Sequence, residues 1–368
     1  MDVSGAGTAP TGAPGDPQVL VLVTGSARSG TSALAGSLNH LGYHVPQPMV
    51  PASERNAKGH FEPWFSIHFH KKHLKRAGVR AGDASPETQQ RLAEVMADPA
   101  VRAELRDWLA LQPEPRLVVK DPHAMRFLDV WAGACADLGI DLRYLTTVRH
   151  PAEVVGSRDL VWGQDRDDAE RAAKEITNVA AWVEIALVTE RETRGETRSF
   201  IRYDDLVGDW RTALGRVSEQ LDLGLDTSSE PGTHELDTWL DPGMQRSSLT
   251  WEDLRVTPAI QALAEATWEQ LDALCGDPRD ASASQQLDEV ARTYARLFAE
   301  ARALVQDELR FETHEAQALV TDLQNKNRRL RRLLREQREL AETLRAAPTP
   351  PRQLPHRLKA ALGRRLRG

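Results

Sequence analysis

The chain has 368 residues, of which 40% are hydrophobic and 27% charged, which is enough for one large domain with an appendage or for two ordinary domains. The net charge of −7 gives no argument for binding nucleic acid, and no run of eighteen apolar residues that could cross a membrane occurs. The two cysteines, Cys135 and Cys275, stand in unrelated contexts, which excludes a disulfide framework or a zinc site and is typical of a cytoplasmic protein.

The first segment, residues 1–17, is rich in Gly, Pro, Ala and Thr and is expected to be a disordered leader. It has neither a basic start nor an apolar stretch, so it does not have the pattern of a secretion signal.

Apolar runs typical of strands alternate with stretches of helical spacing over residues 18–284. Strands are predicted at 18–24, 117–119, 142–148 and 199–203, each followed by a predicted helix, at 29–41, 124–138, 152–162 and 210–221. This alternation predicts one α/β domain of three layers, with a central parallel sheet of about four to five strands. Further helical blocks at 62–77, 86–111 and 169–191 have no strand partner and are candidates for a lid or an acceptor pocket.

The turn after the first strand reads GSARSGTS, from Gly25 to Ser32. A glycine turn that opens a helix presents backbone N–H groups and the positive end of the helix dipole, so it favours an anion. Nucleotide triphosphatase loops have the pattern G-x-x-x-x-G-K-[ST], but Thr31 stands at the lysine position and a positive charge occurs earlier, at Arg28. A loop without that lysine suits a shorter anion that needs no metal, and Arg28 can bind a phosphate or sulfuryl group through two N–H groups.

A second pair of basic and hydroxyl residues follows the third predicted strand, in the sequence RHPAEVVGS. Arg149 stands at the end of the strand, Pro151 begins a helix, and Ser157 lies eight residues past Arg149, about two helical turns. Because the ends of parallel strands gather at one edge of a sheet, we expect Arg149 and Ser157 to hold a second, separate phosphate there. A nucleotide with two phosphate-bearing ends fits this pattern better than a linear triphosphate.

The C-terminal part of the chain, residues 285–346, has no strand signal and is predicted to be a long helix. Between residues 316 and 344 leucines recur mostly at spacings of three and four, about four heptads, which predicts a short coiled coil and a homo-oligomer. The alternative is one amphipathic helix packed back on the domain.

The last segment, residues 347–368, is a proline-containing tail with six Lys or Arg and no acid. Its residues 352–368 are a candidate for peripheral contact with an anionic membrane, the alternative being a solvated tail. From Ala316 to Gly368 there are fourteen Lys or Arg and only four Asp or Glu, so this region differs in sign from the rest of the chain.

Taken together, the motifs resemble those of sulfotransferases that use PAPS (3′-phosphoadenosine 5′-phosphosulfate). RSGTS, at 28–32, is similar to their 5′-phosphosulfate loop, and RHPAEVVGS, at 149–157, to their 3′-phosphate motif. VVKDPH, at 118–123, and YDDL, at 203–206, are similar to recurrent segments of bacterial and carbohydrate-modifying members.

This resemblance covers roughly residues 19–223 and implies a P-loop-like fold, PAPS as co-substrate without a metal, and a hydroxyl acceptor on a glycan, a glycolipid or another small molecule. It implies these residues for binding PAPS: Arg28, Ser29, Gly30, Thr31, Ser32, Arg149 and Ser157.

The resemblance also implies catalytic residues. Carbohydrate-type and tyrosine-type members use a glutamate base between the phosphosulfate loop and the next strand, which corresponds to Glu62 here. Cytosolic small-molecule members use a histidine just after a lysine at a strand end, which Lys120 and His123 resemble with a different spacing. We expect Lys120 to contact the sulfuryl oxygens, or alternatively to pair with Asp121, and the base is either Glu62 or His123.

Three histidines near Glu62, at positions 68, 70 and 73, share a helical face only in part. Because no acid or cysteine stands near them at metal-binding spacing, we expect His68, His70 and His73 to be polar surface residues.

Two other functions are open alternatives. One is a nucleoside or small-molecule kinase with a degenerate phosphate loop, which would need magnesium and an aspartate such as Asp121. The other is a non-catalytic scaffold that keeps a nucleotide pocket and acts through its coiled coil.

Overall fold

The structure is a computed structural model and describes residues 17–53, 56–162, 167–240 and 249–346. The predicted leader, apart from Pro17, and the predicted basic tail at 347–368 lie outside the described residues. The chain divides into two compact units, Met1–Phe298 and Ala299–Gly368.

A four-stranded parallel sheet forms the centre of the first unit. Its strands are β1 (Val19–Thr24), β2 (Arg116–Lys120), β3 (Asp141–Val148) and β4 (Arg198–Arg202). They lie in the order β2-β1-β3-β4, and every neighbouring pair is parallel. The sequence-based expectation of a central parallel sheet of four to five strands is confirmed.

Strand β1 is apolar from Val19 to Val23 because both of its faces are covered. Leu20 and Leu22 pack into one hydrophobic cluster, and Val21 and Val23 pack into another on the opposite face. All four side chains are at most 1% exposed. Successive side chains of a strand point to opposite faces, so a strand between two helical layers needs apolar residues at every position.

Helices and the segments that connect them make up the rest of the described chain. They are α1 (Thr31–His40), α2 (Trp64–Ala77), α3 (Thr88–Met96), α4 (Pro99–Leu109), α5 (Leu128–Leu138), α6 (Pro151–Trp162), α7 (Asp168–Glu192), α8 (Tyr203–Gly208), α9 (Trp210–Leu221), α10 (Leu236–Trp239), α11 (Pro258–Gly276) and α12 (Ala281–Ala346). None of these described helices is apolar over a length that would span a bilayer.

The helices form a layer on each side of the sheet. Helices α1 and α9 pack on one face, and α5, α7 and α11 on the other. This arrangement is the predicted three-layer, P-loop-like α/β fold, with the long C-terminal helix also present.

Two predicted helices differ from the structure in detail. The predicted helix at 86–111 is two helices, because Asp98 accepts a hydrogen bond from the N–H of Ala100 and Pro99 begins a new helix there. The predicted helix at 124–138 begins as a 3-10 turn at 124–126, and its α-helical part starts at Leu128.

The order of the strands determines where a ligand can bind. The chain passes from β1 to β2 on one side and then returns to place β3 on the other side of β1. The ends of β1 and β3 therefore border the crevice that such a reversal opens at the carboxyl edge of a parallel sheet. Both predicted anion-binding motifs follow these two strands.

In the second unit, the described residues 299–346 belong to α12. Most of its large apolar side chains are exposed, among them Leu319, Leu323, Leu330, Leu333 and Leu340.

Candidate functional site

The turn between β1 and α1 is held against two neighbouring elements by its glycines. Gly25 and Gly30 have φ values of 127° and 97°. A Cβ on Gly25 would lie 2.8 Å from the carbonyl oxygen of Thr147, and one on Gly30 would lie 2.1 Å from Cδ2 of Tyr203. Only glycine fits at both positions, so the turn stays in close contact with the end of β3 and the start of α8.

Ser29 stabilises this turn from the inside. Its side chain is 1% exposed, and its hydroxyl donates to the carbonyl oxygen of Ser26 at 2.6 Å. The same hydroxyl lies 3.1 Å from Oγ1 of Thr147 on β3. The hydroxyl of Ser29 is therefore engaged within the protein, joining the turn to β3.

Arg28 stands at the tip of the turn with a φ of 77°, a left-handed conformation that is uncommon for a residue with a side chain. Such backbone strain persists where the surrounding structure imposes it, and it is concentrated at functional sites. Nε of Arg28 donates to Oγ of Ser157 on α6 at 3.1 Å. The first anion motif thus contacts the second one directly.

Arg149 forms a second contact between the two motifs. Its Nη1 donates to the carbonyl oxygen of Arg28 at 3.3 Å. Arg149 is 6% exposed and Ser157 is 3% exposed, so both side chains are buried at the edge of the sheet. The sequence predicted two anion-binding motifs at one edge of the sheet, and in the structure Arg28, Arg149 and Ser157 of these motifs contact one another there.

The guanidinium group of Arg149 is held in place by two further contacts. Its Nε donates to Oε2 of Glu153, one helical turn later, at 2.8 Å. Its central carbon lies 4.6 Å from the centre of the Tyr203 ring, a cation–π contact. Burial raises the pKa of Tyr203 although Arg149 acts in the opposite direction, so the phenol is neutral at ordinary pH.

A cleft of about 210 Å³ opens over these residues. Its lining consists of Arg28, Gly30, Thr31, Ser32, Ala33, Asn56, Ala57, Lys58, Arg149, Ser157 and Tyr203. Six of the seven residues expected to bind the nucleotide line it, and the seventh, Ser29, lies beneath the turn.

Sequence reasoning missed two polar residues of this lining, Asn56 and Lys58. Nδ2 of Asn56 donates to Oγ of Ser32 at 3.3 Å, and the ammonium group of Lys58 donates to the carbonyl oxygen of Trp239. Both residues belong to a segment without regular secondary structure, and no periodicity or motif marks them in the sequence. Only the folded structure shows that they line the cleft.

A buried ion pair lies at the end of β2. Nζ of Lys120 donates to Oε1 of Glu62 at 2.5 Å, and the two side chains are 2% and 15% exposed. Burial lowers the pKa of Lys120, and the neighbouring Glu62 carboxylate opposes that shift. Lys120 therefore takes Glu62 as its partner.

Asp121, the next residue, accepts hydrogen bonds from two histidines. Nε1 of Trp131 can only donate, and it lies 3.0 Å from Nε2 of His70, so the proton of His70 is on Nδ1. That Nδ1 donates to Oδ2 of Asp121 at 2.7 Å, and burial lowers the pKa of His70 and keeps its ring neutral.

The other oxygen of Asp121 orients His123. The backbone N–H and Nδ1 of His123 both donate to Oδ1 of Asp121, at 3.0 and 2.5 Å. Burial by itself would raise the pKa of Asp121, but the contacts with His70 and His123 outweigh it and hold the pKa well below its usual value. With Nδ1 engaged, Nε2 is the nitrogen of neutral His123 that carries the lone pair.

The expectation that the three histidines of α2 lie on the surface is wrong for two of them. His70 is fully buried and His73 is 2% exposed, with Nε2 of His73 lying 3.1 Å from Oε2 of Glu104. His68 is exposed as expected. The buried histidines lie on the face of α2 that packs against the cluster around Phe127, where His70 stacks at 4.9 Å.

Charges from both the ion pair and the turn act on the pKa of His60. Its Nε2 lies 3.0 Å from Oγ of Ser53. Burial lowers the pKa of His60, Glu62 acts against that shift, and Lys120 and Arg28 add to it. Glu62, Lys120 and His123 are not among the residues that line the cleft, so the expected catalytic residues form a group of their own at the end of β2.

No group of three or more His, Cys, Asp and Glu side chains in the described part of the chain has an arrangement that could hold a metal ion. The polar groups around the cleft are instead mainly hydrogen-bond donors, which suits an anion.

Comparison with known proteins agrees with this kind of site. A protein-family profile described as "Sulfotransferase family" matches residues 21–227, more than half of the chain. Two solved structures are similar to this chain. The sulfotransferase domain from the Synechococcus PCC 7002 olefin synthase is 17% identical, and the match covers 70% of this chain and 95% of that chain with a TM-score of 0.39. The sulfotransferase domain from the curacin biosynthetic pathway is 14% identical, and the match covers 75% of this chain and 98% of that chain with a TM-score of 0.35. No curated protein matches the sequence.

Proposed function

The chain belongs to the sulfotransferase family, and from that premise we propose that it transfers a sulfuryl group from PAPS to a hydroxyl of a glycan, a glycolipid or another small acceptor. One observation carries the proposal. Arg28, after β1, and Arg149, after β3, line the same cleft and are joined by a hydrogen bond. Two guanidinium groups at the reversal of strand order suit a nucleotide that carries anionic groups at both its 5′ and 3′ positions.

We propose that the two motifs divide the nucleotide between them. Arg28, Thr31 and Ser32 stand at the start of α1, where backbone N–H groups and the helix dipole favour the 5′-phosphosulfate. Arg149 and Ser157 would bind the 3′-phosphate. Each charged hydrogen bond of this kind contributes about 1.5–3 kcal/mol.

The reaction requires two contributions from the protein's own side chains, stabilisation of developing charge and removal of a proton. The acceptor oxygen forms a bond to sulfur while the bond from sulfur to the bridging oxygen of the nucleotide breaks, and the electron pair of that bond stays on the nucleotide. Arg28 and Lys120 would stabilise the charge that develops, which is usually the largest contribution to catalysis. A base would take the proton of the acceptor hydroxyl.

We propose Glu62 as that base. Its carboxylate is partly exposed and forms an ion pair with Lys120. The contact at 2.5 Å between Glu62 and Lys120, the lysine proposed to bind the sulfuryl oxygens, supports this choice. His123 is the second candidate, because Asp121 orients its ring and leaves the lone pair on Nε2.

Asp121 also bears on the kinase alternative. A magnesium-dependent phosphoryl transfer would need an accessible carboxylate at this strand end. Asp121 is 1% exposed, and both of its oxygens accept hydrogen bonds from histidines. This arrangement favours sulfuryl transfer over phosphoryl transfer.

Thermal unfolding of the full chain with different nucleotides tests the proposal. We expect adenosine 3′,5′-bisphosphate to raise the melting temperature in the presence of EDTA, since a ligand at 100 times its Kd adds about 2.7 kcal/mol to the stability of the folded state. A stronger response to magnesium-ATP would support the kinase, and no response to any nucleotide would support the scaffold. Transfer of labelled sulfuryl groups from PAPS to a panel of glycans and glycolipids then identifies the acceptor class.

A further inference from the structure

The C-terminal part of α12 carries a row of exposed leucines along one face. Leu319, Leu323, Leu330, Leu333 and Leu340 are 60%, 55%, 59%, 41% and 48% exposed. A helix that shows such a stripe to water is stabilised when a second apolar surface covers it.

The heptad register of this helix can be read from the leucines. The a positions are Ala316, Leu323, Leu330 and Gln337, and the d positions are Leu319, Lys326, Leu333 and Leu340. The flanking e positions are Val320, Asn327, Leu334 and Ala341, and the g positions are Glu315, Asp322, Arg329 and Glu336. Two polar residues therefore interrupt the seam, and the charges flank it on the g side alone.

We infer that this face binds the same face of a second copy of the chain in antiparallel orientation, about a two-fold axis between residues 331 and 332. In an antiparallel pair of helices, a positions face d positions of the other helix. With this axis Leu330 faces Leu333 of the partner subunit, and Leu323 faces Leu340 of the partner subunit. The two layers next to the axis, each made of one Leu330 and one Leu333, then adjoin each other, and one polar layer separates each of them from a layer of Leu323 and Leu340.

The same register matches the two polar interruptions with each other. Lys326 faces Gln337 of the partner subunit, so the amide oxygen of the glutamine can accept from the lysine ammonium group. Lys326 also keeps its pair with Asp322 on its own helix, at 2.7 Å. A parallel pair in register would instead place Lys326 against Lys326 of the partner subunit, where two like charges meet in the seam.

The flanking charges favour the antiparallel pairing as well. In that orientation g positions face g positions, so Arg329 lies beside Glu336 of the partner subunit, and the two-fold axis repeats this attraction. The e positions, which face each other, carry no charge. In a parallel pair the g residues would face these uncharged e positions, and no ion pair would cross the seam.

The remaining arginines lie away from the seam in this arrangement. Arg328, Arg331, Arg332, Arg335 and Arg338 occupy the outer positions of the heptad and are exposed. The outer surface of the pair would therefore be strongly basic and solvated. This inference concerns the helix alone and does not depend on the chemistry of the cleft.

Single cysteines in the full chain test the orientation. Leu323 and Leu340 are seventeen residues apart, so in the antiparallel pair a cysteine at position 323 lies about 25 Å along the axis from its own counterpart. We expect Leu323→Cys and Leu340→Cys each to stay uncrosslinked when oxidised alone and to form a disulfide-linked heterodimer when mixed. The unaltered chain is the control, since Cys135 and Cys275 are both buried.

Charge reversal gives a second test that leaves the leucines unchanged. Arg329→Glu turns two attractions into repulsions and is expected to weaken dimerisation roughly tenfold in sedimentation velocity. The double variant Arg329→Glu with Glu336→Arg restores the attractions and should recover most of that loss.

Three results would overturn the inference. Crosslinking of Leu323→Cys by itself would mean a parallel pair. A full chain that stays monomeric at all accessible concentrations would mean that no second copy binds. A monomer that cosediments with vesicles of anionic phospholipid would assign the face to a lipid surface instead.

Discussion

The end of β2 and the shared edge of β1 and β3 both collect charged side chains, but they do so differently. At the end of β2, Lys120 pairs with Glu62, and both oxygens of Asp121 are held by His70 and His123. At the β1 and β3 edge, the arginines border a cleft of about 210 Å³.

The two groups of charged side chains are therefore suited to different functions. The paired side chains at the end of β2 orient one another and set their protonation, whereas the arginines at the cleft, of which Arg149 also pairs with Glu153, can present N–H groups to an anionic ligand. The comparison predicts that changes at the end of β2 act on turnover and stability, and that changes at the cleft act on nucleotide affinity.

The largest expected effect is at Glu62. Glu62→Gln keeps the size of the side chain but removes the proposed base, so we expect turnover to fall by about 10²- to 10⁴-fold while affinity for adenosine 3′,5′-bisphosphate stays nearly the same. Steady-state kinetics and calorimetry on one preparation measure both quantities. His123→Asn is the matched variant, and a loss of turnover there with none in Glu62→Gln would move the base to His123.

The next largest effect is on stability. Asp121→Asn removes a buried carboxylate that accepts from His70 and His123, so we expect the free energy of unfolding at pH 7 to fall by about 3 kcal/mol, measured by urea denaturation. Asp107→Asn is the control, because the side chain of Asp107 is 68% exposed and should matter by less than about 0.5 kcal/mol.

The same variant makes a prediction about pH. The pKa of Asp121 is lower in the folded state than its ordinary value near 4, so its contribution is complete above that value and fades as the pH falls below it. The stability difference between the unaltered chain and Asp121→Asn should be constant between about pH 6 and 8 and shrink below about pH 4. A difference that grows on acidification would contradict the assigned hydrogen bonds.

At the cleft, we expect a loss of affinity without loss of fold. Arg149→Ala and Arg28→Ala should each weaken binding of adenosine 3′,5′-bisphosphate by about ten- to a hundredfold, the loss of one charged hydrogen-bonding group. Arg143→Ala is the control for calorimetry, since Arg143 belongs to the same strand as the Arg149 motif but pairs with Asp141 near the opposite end. Equal losses in all three variants would contradict the division between the two regions.

The smallest expected effect concerns the buried side chains around Asp121 at the end of β2. Trp131→Phe keeps an aromatic ring but removes the N–H that donates to Nε2 of His70, which should cost about 1 kcal/mol of stability. Thermal unfolding measures this loss. An unchanged melting temperature would mean that the proton of His70 is not held on Nδ1 by Trp131.

Much of the fold could be predicted because its signals are local. The apolar run of β1 and the Pro151 start of α6 are visible in short windows of sequence, and both elements occur where they were expected. The single helix predicted for α3 and α4 overlooked a local signal, because Asp98 followed by Pro99 is a common start of a new helix.

The candidate site was predictable only where a residue stands next to a strand end. Arg28 and Arg149 follow strands, and strand order alone brings them to one edge. No such signal in the sequence marks the positions of Asn56 and Lys58 or the burial of His70. Each of them depends on a contact with a residue from another part of the chain.

The sequence by itself determined the four strands, the two arginine-containing motifs that follow β1 and β3, and the family. Only the tertiary structure decided that Lys120 takes Glu62 as its partner, that Asp121 joins two histidines, and that the two arginine motifs meet in one cleft. The physical reason is the separation along the chain over which each kind of interaction acts. Strand and turn formation depends on neighbours within a few residues, whereas the partner of a buried charge is set by whichever side chain the packing of distant segments brings within hydrogen-bonding distance.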